Sequence, residues 1–169
     1  MKVLITGANS YVGKYLVQHM ENCGFEYVTA TRDDFDYSNV KDIENFLDSK
    51  EITNVIHLAA AISEKAEDIF CTNIQGLYYL IQACAKNKVH HFTFASGNTV
   101  YASNSMVPRR ETDFLAPESG GSYAFSKYVG ELIISDYLSK RGILYANVRI
   151  GDIYGPNQKH GNLLKVIVK

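Results

Sequence analysis

The sequence predicts an α/β protein with a Rossmann-like, doubly wound parallel sheet in a three-layer α/β/α arrangement. Short apolar runs, typical of buried strands, alternate along the chain with stretches of helical periodicity. A glycine turn from Gly7 to Gly13 directly follows the first apolar run and opens the first helical pattern. Units of this kind join parallel strands through right-handed crossovers. The length fits one domain over residues 1–169.

The predicted elements follow one another without an internal repeat. Short apolar runs place strands at 2–6, 25–31, 54–59, 91–96 and 143–150. Helical periodicity places helices at 11–22, 40–49, 68–88 and 123–140, and Gly24 ends the first of them. Residues 103–120 contain Pro108 and Pro117 and are predicted to form a loop.

The predicted sheet is smaller than a full dinucleotide-binding sheet, which has about six strands. The last residues, 162–169, begin an apolar element that the sequence does not complete. We therefore expect a chain that is truncated at its C-terminus. The alternative is a naturally small domain of five strands.

Composition and charge argue against several classes of protein. The formal net charge of −1 at pH 7 gives no support for binding to nucleic acid or to an acidic membrane surface. No apolar run is long enough to span a bilayer, and the N-terminus lacks the pattern of a signal peptide. The three cysteines show no C-x-x-C spacing, so we expect neither a disulfide framework nor a metal site. The expectation is a cytoplasmic protein without a membrane or nucleic-acid partner.

The glycine turn has the context that phosphate binding requires, because it joins a strand to the start of a helix. Glycines let the backbone approach a pyrophosphate, and the helix N-terminus offers unpaired N–H groups. The middle position of the motif is a serine, whose hydroxyl could itself donate to phosphate. The candidate cofactor contacts in the turn are Gly7, Asn9, Ser10, Tyr11, Val12 and Gly13. The alternative is a turn whose glycines serve packing alone.

The end of the second predicted strand bears on the choice between NAD and NADP. An acidic residue at this point normally binds the adenosine ribose and selects NAD. Here Thr31 and Arg32 stand in its place, with no acid at Thr31, and a cation tolerates a 2′-phosphate. The sequence therefore favours NADP over NAD. The alternative is that Arg32 is a solvated surface charge.

A tyrosine and a lysine lie one helical turn apart at Tyr123 and Lys127, near the start of the last predicted helix. An ammonium group beside a phenol lowers the phenol pKa, and such a phenol can act as a general acid or base. Tyr37 and Lys41 have the same spacing, so spacing alone decides nothing, and we expect that pair to form an ordinary solvated helix face. Tyr123 differs because it lies at the carboxyl edge of the sheet, where open α/β sheets bind ligands.

The chain resembles the extended short-chain dehydrogenase/reductase family, the NAD(P)-dependent sugar epimerases and dehydratases. The matching segments run from residue 2 to about residue 156, in the family's order. They are 3–7 (VLITG), 55–60 (VIHLAA), 73–76 (NIQG), 99–101 (TVY), 123–127 (YAFSK) and 153–156 (IYGP).

The resemblance implies roles for individual residues. Asp36 and Tyr37 stand where the family contacts adenine. Asn73 stands at a structural, cofactor-side position, and Lys127 would bind the nicotinamide ribose and lower the pKa of Tyr123, the proton-transfer residue. The residues implied to line the cofactor cleft are Leu58, Ala59 and Ala60.

The sequence departs from the family pattern in two places. The family usually has a catalytic Ser or Thr four residues before the tyrosine that corresponds to Tyr101, and here that position is Gly97. Ser96 and Thr99 flank it, and either could supply the hydroxyl, or neither is catalytic. We also expect this chain to lack most of the C-terminal part in which the family builds its substrate pocket.

The function that the resemblance implies is an NAD(P)-dependent epimerase or dehydratase that acts on a nucleotide sugar by hydride transfer. Two alternatives stay open: an NADPH-dependent nucleotide-sugar reductase, which Arg32 favours, and a non-catalytic NAD(P)-binding sensor or scaffold, which Gly97 favours. The resemblance also implies a homodimer through helices 68–88 and 123–140.

Overall fold

The computed structural model describes residues 1–31, 33–101 and 108–156. Its five strands form one sheet in which every neighbouring pair is parallel, in the order β2-β1-β3-β4-β5. The strands are β1 (Val3–Thr6), β2 (Tyr27–Ala30), β3 (Asn54–His57), β4 (His91–Gly97) and β5 (Leu144–Ile150). The predicted parallel sheet is confirmed, with shorter strands than expected at β2 and β3.

The helices agree with the prediction except in the middle of the chain. They are α1 (Tyr11–Asn22), α2 (Val40–Ser49), α3 (Ala66–Phe70), α4 (Leu77–Lys86) and α5 (Gly121–Ser139). The single helix predicted at 68–88 is wrong in detail, because the π-helical segment Cys71–Gly76 separates α3 from α4. The predicted loop contains local structure: Pro117–Gly120 forms a short 3₁₀ turn, and Leu115 pairs with Tyr101 across an antiparallel bridge. Apolar periodicity in the sequence cannot distinguish a π-helical turn from an α-helical turn, since both kinds of turn bury one side of the helix.

The sheet has helices on both faces, as the three-layer prediction required. One face packs against α2, α4 and α5 through a large core, to which Leu4 and Phe92 contribute from the sheet. The other face packs against α1 through Val3, Ile5 and Met20. Leu4 lies between Val3 and Ile5, so the alternation along β1 sends neighbouring side chains to opposite cores.

The connections place a crevice at the carboxyl edge between β1 and β3. The chain leaves β1 through α1 on one face to reach β2 at the edge of the sheet. It then returns through α2 on the other face to β3, on the far side of β1. This reversal is the switch point at which open α/β sheets bind ligands.

The outer strand β5 is the least covered part of the sheet. Leu144 and Val148 are 69% and 44% exposed. Within the described residues, β5 pairs with β4 along one edge, and no strand pairs with its other edge. Over residues 1–31, 33–101 and 108–156, the sheet is therefore unpaired on the outer side of β5.

The helix α5 packs closely on the sheet at Gly130, and this contact generates a stability prediction. A Cβ at this position would lie 2.8 Å from Cζ of Phe94 and 2.9 Å from Cδ2 of Leu77. Alanine normally stabilises a helix by about 1 kcal/mol relative to glycine. Here we expect Gly130→Ala to lower the free energy of unfolding by about 1–3 kcal/mol, because the methyl group overfills the core.

Urea unfolding with a fitted m-value measures this effect. Gly151→Ala is the matched control, since no atom lies within 4 Å of a Cβ built there, and it should change stability by less than about 0.5 kcal/mol. An increase in stability for Gly130→Ala would contradict the packing described here.

Candidate active site

The turn after β1 is built around a backbone contact that leaves no room for a side chain. Gly7 has φ = 72°, a left-handed conformation that favours glycine. A Cβ on Gly7 would lie 2.7 Å from the backbone nitrogen of Ala59, in the loop that follows β3. Ser10 N donates to Gly7 O at 2.9 Å and closes the turn. The two loops at the switch point are therefore in direct contact at Gly7.

The second glycine sets the distance between the turn and α1. A Cβ on Gly13 would overlap the carbonyl oxygen of Gly7 and the backbone of Ala8. Ser10 caps the helix, since its Oγ accepts a hydrogen bond from Gly13 N at 3.0 Å. The hydroxyl proton of Ser10 is left to donate outward, and the N–H groups of the first helical turn have no partner within the helix.

The structure thus brings the predicted turn residues together at one helix N-terminus. Asn9 and Ser10 are exposed and Tyr11 and Val12 are half-buried. A helix N-terminus with a closely approaching backbone is suited to an anion such as a pyrophosphate.

A carboxylate that the sequence reasoning missed lies at the end of β2. Asp34 Oδ2 accepts hydrogen bonds from the backbone N–H and the hydroxyl of Thr31, at 2.7 and 2.8 Å. These bonds lower the pKa of Asp34. The expectation that no acid stands at Thr31 is therefore wrong, because a turn of three residues brings the carboxylate back. Arg32 lies outside the described residues.

The residues proposed for the adenine end lie in the turn before α2. The Asp36 carboxylate accepts hydrogen bonds from Ser38 N and Oγ at 2.8 and 2.6 Å. The ring of Tyr37 lies 6.2 Å from that of His57 and is largely buried, which raises the pKa of the phenol to about 12. The expected solvated pair with Lys41 is wrong, since Tyr37 precedes α2 and its ring packs inward.

The loop after β3 is held in place by Thr6 and Asn73. Ala59 N donates to Thr6 Oγ1 at 3.3 Å, which keeps Leu58, Ala59 and Ala60 close to the turn. Asn73 lies in the π-helical segment, and its amide accepts from Ala61 N at 2.7 Å and donates to Ala61 O at 3.0 Å. Because the Asn73 side-chain oxygen accepts a hydrogen bond from the loop, Asn73 holds the loop in position.

Asn73 also reaches the helix that carries Tyr123 and Lys127. Its Nδ2 donates to Ser126 Oγ at 3.1 Å, and that hydroxyl donates to the Tyr123 carbonyl at 2.7 Å. The loop after β3 and the first turn of α5 are therefore joined through one amide. Ser126 was not predicted as part of the site, although it lies inside the YAFSK segment.

The floor of the crevice contains a buried histidine. His57 Nδ1 lies 2.8 Å from Thr6 Oγ1, and the imidazole stacks on Phe94 with ring centres 6.1 Å apart. Burial, helped by the charge of Lys127, lowers the pKa of His57 to about 3. The imidazole is therefore neutral at physiological pH.

Tyr123 and Lys127 lie one turn apart on α5, as predicted. Lys127 is buried, its Nζ donates to the Ala95 carbonyl at 2.7 Å, and it lies 5.6 Å from the centre of the Tyr123 ring. Burial lowers the pKa of Lys127 to about 8 and raises the pKa of Tyr123. The expected lowering of the Tyr123 pKa is wrong for this geometry, because the ammonium is bound to a β4 carbonyl and burial of the phenol dominates.

The two hydroxyls near Gly97 have different surroundings. Ser96 is buried, and its Oγ donates to Glu131 Oε1 at 2.5 Å. Thr99 is exposed, and its Oγ1 lies 3.4 Å from the position that a Cβ on Gly97 would take. Thr99 also borders the start of α5, since a Cβ on Gly120 would lie 3.7 Å from Thr99 Cβ. The Thr99 hydroxyl therefore lies within contact distance of the place of a side chain at position 97, whereas the Ser96 hydroxyl is bound to Glu131.

Comparison with known proteins agrees with this architecture. The family model described as the NAD dependent epimerase/dehydratase family matches residues 3–169. The chain belongs to this family. The extended short-chain dehydrogenase/reductase resemblance is confirmed by this match and by the Rossmann-like fold of the neighbouring structures.

Individual family members show the extent of the likeness. A putative UDP-glucose 4-epimerase of Methanocaldococcus jannaschii is 27% identical over 92% of this chain and 57% of its own length. The UDP-N-acetylglucosamine 4-epimerase of Bacillus cereus superposes with a TM-score of 0.86 at 26% identity, over 98% of this chain and 64% of that one. The UDP-glucose 4-epimerase of Thermus thermophilus, in complex with NAD, gives 0.84 at 26% identity, over 99% and 60%.

The chain spans about half the length of the curated relatives that it matches. No helix in the described part of the chain has the length and apolar character that crossing a membrane requires. Over the same residues, no group of three or more His, Cys, Asp or Glu side chains is arranged to hold a metal ion.

The buried lysine generates a prediction for alkaline pH. The folded pKa of Lys127 is about 8, below its ordinary value of 10.5, so between these values the unfolded chain binds the proton more tightly. Stability therefore increases as pH rises through this window. We expect the wild-type free energy of unfolding to rise by about 2 kcal/mol between about pH 7.5 and pH 10, relative to Lys127→Met.

Urea unfolding of both proteins across this range checks the prediction. The comparison with Lys127→Met removes the contribution of buried phenols such as Tyr37, whose raised pKa acts in the opposite direction. Lys140→Met is a surface control at the C-terminal end of the same helix, since the Lys140 side chain is 66% exposed. Parallel pH profiles for wild type and Lys127→Met would contradict the buried position of Lys127.

Proposed function

We propose that the chain is the cofactor-binding part of an NAD(P)-dependent epimerase/dehydratase-type oxidoreductase that acts on a nucleotide sugar. One observation carries the proposal: the glycine turn at Gly7 and the pair Tyr123 and Lys127 lie at the same carboxyl edge, on either side of the switch point. A dinucleotide that lay across this edge would extend from the N-terminus of α1 toward α5. The family match and the nucleotide-sugar epimerases among the relatives support this function.

The chain's own residues fit a dinucleotide. The close contacts at Gly7 and Gly13 hold the backbone of the turn against the loop after β3 and the start of α1, so a pyrophosphate could approach the N–H groups of the helix N-terminus. Asp36 and Tyr37 are proposed for the adenine, and the loop from Leu58 to Ala60 for the wall of the cleft. Lys127 uses one of its three N–H donors on Ala95, so two remain for ribose hydroxyls. The nicotinamide, when bound, supplies the group that accepts or returns a hydride.

Tyr123 is proposed as the acid–base residue. Its pKa is raised by burial, so the phenol is protonated at neutral pH and is ready to donate a proton to a sugar oxygen. Acting as a base requires a nearby positive charge, which Lys127 carries below its pKa of about 8. In the geometry seen here, Tyr123 is therefore suited to donate a proton to the substrate. It would become suited to remove a proton from the substrate if the Lys127 ammonium moved closer to the phenol oxygen.

Thr99 is proposed as the hydroxyl that replaces the family's Ser or Thr. It is exposed at the carboxyl edge, close to the position of a residue-97 side chain and to the start of α5. Ser96 is a weaker candidate, because Glu131 accepts its proton inside the core. The position of Thr99 counts against a non-catalytic sensor or scaffold, for which the missing hydroxyl at Gly97 is the main support.

Two residues at the end of β2 bear on the choice of cofactor and of net reaction, and they act in opposite directions. Arg32 mildly favours NADP, because a cation tolerates a 2′-phosphate. The NADPH-dependent nucleotide-sugar reductase therefore stays the second candidate function. The Asp34 carboxylate beside Thr31 opposes a 2′-phosphate and favours the ribose hydroxyls of NAD.

A homodimer through α4 and α5 is also proposed. Apolar side chains remain exposed there although both helices bury one face in the core. They are Tyr78, Phe125 and Leu132, which are between 37% and 51% exposed. The two helices thus expose more apolar surface than packing against one core requires. This surface favours contact with the same two helices of a second copy.

The first functional prediction concerns cofactor binding. We expect the chain to bind NAD or NADP in titration calorimetry, and Gly13→Val to abolish binding because its side chain would overlap Gly7 and Ala8. Gly24→Asn is the control, since Gly24 lies at the far end of α1 and has a positive φ that asparagine tolerates. Arg32→Ala should remove any preference for NADP. Folded wild-type protein that binds neither cofactor at millimolar concentration would refute the proposal.

The second functional prediction concerns the chemistry and uses the complete natural protein that contains these residues. Tyr123→Phe should lower kcat by about 10²–10⁴-fold and leave cofactor affinity nearly unchanged, because it removes only the transferable proton. Tyr137→Phe, on the same helix, is the control. Thr99→Ala should lower kcat, and Thr99→Ser should restore it. Near-wild-type turnover of nucleotide sugars by Tyr123→Phe would exclude the proposed acid–base role.

A further inference from the structure

A buried ion pair joins α5 to β5 behind the acid–base pair. Arg149 Nη2 lies 2.7 Å from Glu131 Oε2, and Arg149 Nε lies 3.0 Å from Oε1. The two side chains are 18% and 7% exposed. Removing two charges from water is costly, and a buried pair is retained only where its hydrogen bonds are well formed. The forked contact made by Arg149 meets this requirement.

The same carboxylate binds the end of β4. Ser96 Oγ donates to Glu131 Oε1 at 2.5 Å, so one carboxylate receives the hydroxyl of a β4 residue and the guanidinium of a β5 residue. Arg149 Nη1 donates further to the Tyr101 hydroxyl at 2.9 Å and to the Glu111 carbonyl at 3.0 Å. The ion pair therefore connects α5, both strands and the loop that follows Thr99.

The spacing along α5 places the residues that make these contacts on one face of the helix. Tyr123, Lys127 and Glu131 are separated by four residues each and so lie near one face of the helix. Lys127 binds the Ala95 carbonyl, and Glu131 binds the Ser96 hydroxyl. Two successive turns of α5 are thus fixed to two successive residues of β4, and the next turn toward the carboxyl edge carries Tyr123.

We propose that Glu131, held by Ser96 and Arg149, is a positioning residue that sets the height of Tyr123 above the carboxyl edge of β4, relative to Thr99. This inference rests on the proposed function, in which Tyr123 and Thr99 act on one substrate. It also assigns Ser96 a role: its hydroxyl locates the helix and takes no part in proton transfer. A misplacement of about 1 Å can lower a rate by about 10²-fold, so the contact matters although it lies away from the reacting atoms.

The pKa of the Tyr123 phenol depends on the position of the ring and can be measured without catalytic turnover. Its pKa is raised because the ring is buried, so a shift of α5 that exposes the ring returns the pKa toward its ordinary value of about 10. NMR titration of the chain labelled with 13C at tyrosine Cζ measures this value. The Tyr123 resonance is assigned by its loss in Tyr123→Phe.

Variants that keep the charge are decisive. Glu131→Gln removes a negative charge, which by itself favours the phenolate and lowers the phenol pKa. Ser96→Ala and Arg149→Lys change no charge and weaken the same contact. We expect both to lower the Tyr123 pKa. Asp136→Asn breaks the exposed pair with Lys140 on the same helix and should leave the titration unchanged.

An unchanged Tyr123 titration in Ser96→Ala and Arg149→Lys would overturn the proposal, whatever Glu131→Gln does. Ser96→Ala leaves the ion pair intact, so it keeps the test available if Glu131→Gln fails to fold.

In the complete natural protein, the same variants should lower kcat by about 10–100-fold with the cofactor Kd and the substrate KM changed less than about threefold. A fall in kcat that matches the loss of folded, cofactor-binding protein would contradict a positioning role. If the wild-type protein binds cofactor but turns over no nucleotide sugar, the proposed function fails, while the phenol titration still decides whether Glu131 positions Tyr123.

Discussion

The structure depends on the contact between Gly7 and the loop after β3, where backbone meets backbone with no room for a side chain. This contact joins the two strands at the switch point and sets the position of α1, whose first turn packs on Gly7 through Gly13. Hydrogen bonds connect this junction to the other parts of the site. The Ala59 amide is held by Thr6, the loop continues to the Asn73 amide, and Asn73 reaches α5 through Ser126.

The carboxyl edge is thus assembled by polar contacts between loops, above two apolar cores. The cores decide which helix lies on which face of the sheet. The polar contacts decide the distances at the edge, where Lys127 binds a strand carbonyl and Asn73 binds a loop on both sides of its amide. Directional hydrogen bonds fix distances that non-directional apolar burial leaves free. The division explains why a chain of this fold can vary its chemistry at the edge without changing its layers.

The sequence predicts the parts of the fold that depend on local pattern. Alternating apolar runs and helical periodicity identified five parallel strands and the helices between them, and the turn from Gly7 to Gly13 located the crevice. Contacts between distant residues were not predictable in this way. The Asp34 carboxylate returns to Thr31 through a tight turn, Ser96 donates to a carboxylate 35 residues away, and the π-helical segment around Asn73 has the same apolar pattern as an α-helix. The direction of the Tyr123 pKa also required burial, which spacing does not reveal.

Within the part of the chain that the structure describes, the outer edge of β5 is unpaired, and this edge bears on how copies of that part would associate. An exposed strand edge with apolar side chains such as Leu144 and Val148 is a template for a further strand. Two copies that met along β5 would form one continuous sheet of twice the width, held by main-chain hydrogen bonds. Two copies that met through α4 and α5 would keep separate sheets. The first kind of pair would protect β5 amides from hydrogen exchange and the second would not, so exchange at residues 144–150 distinguishes a dimer with one continuous sheet from a dimer that associates through its helices.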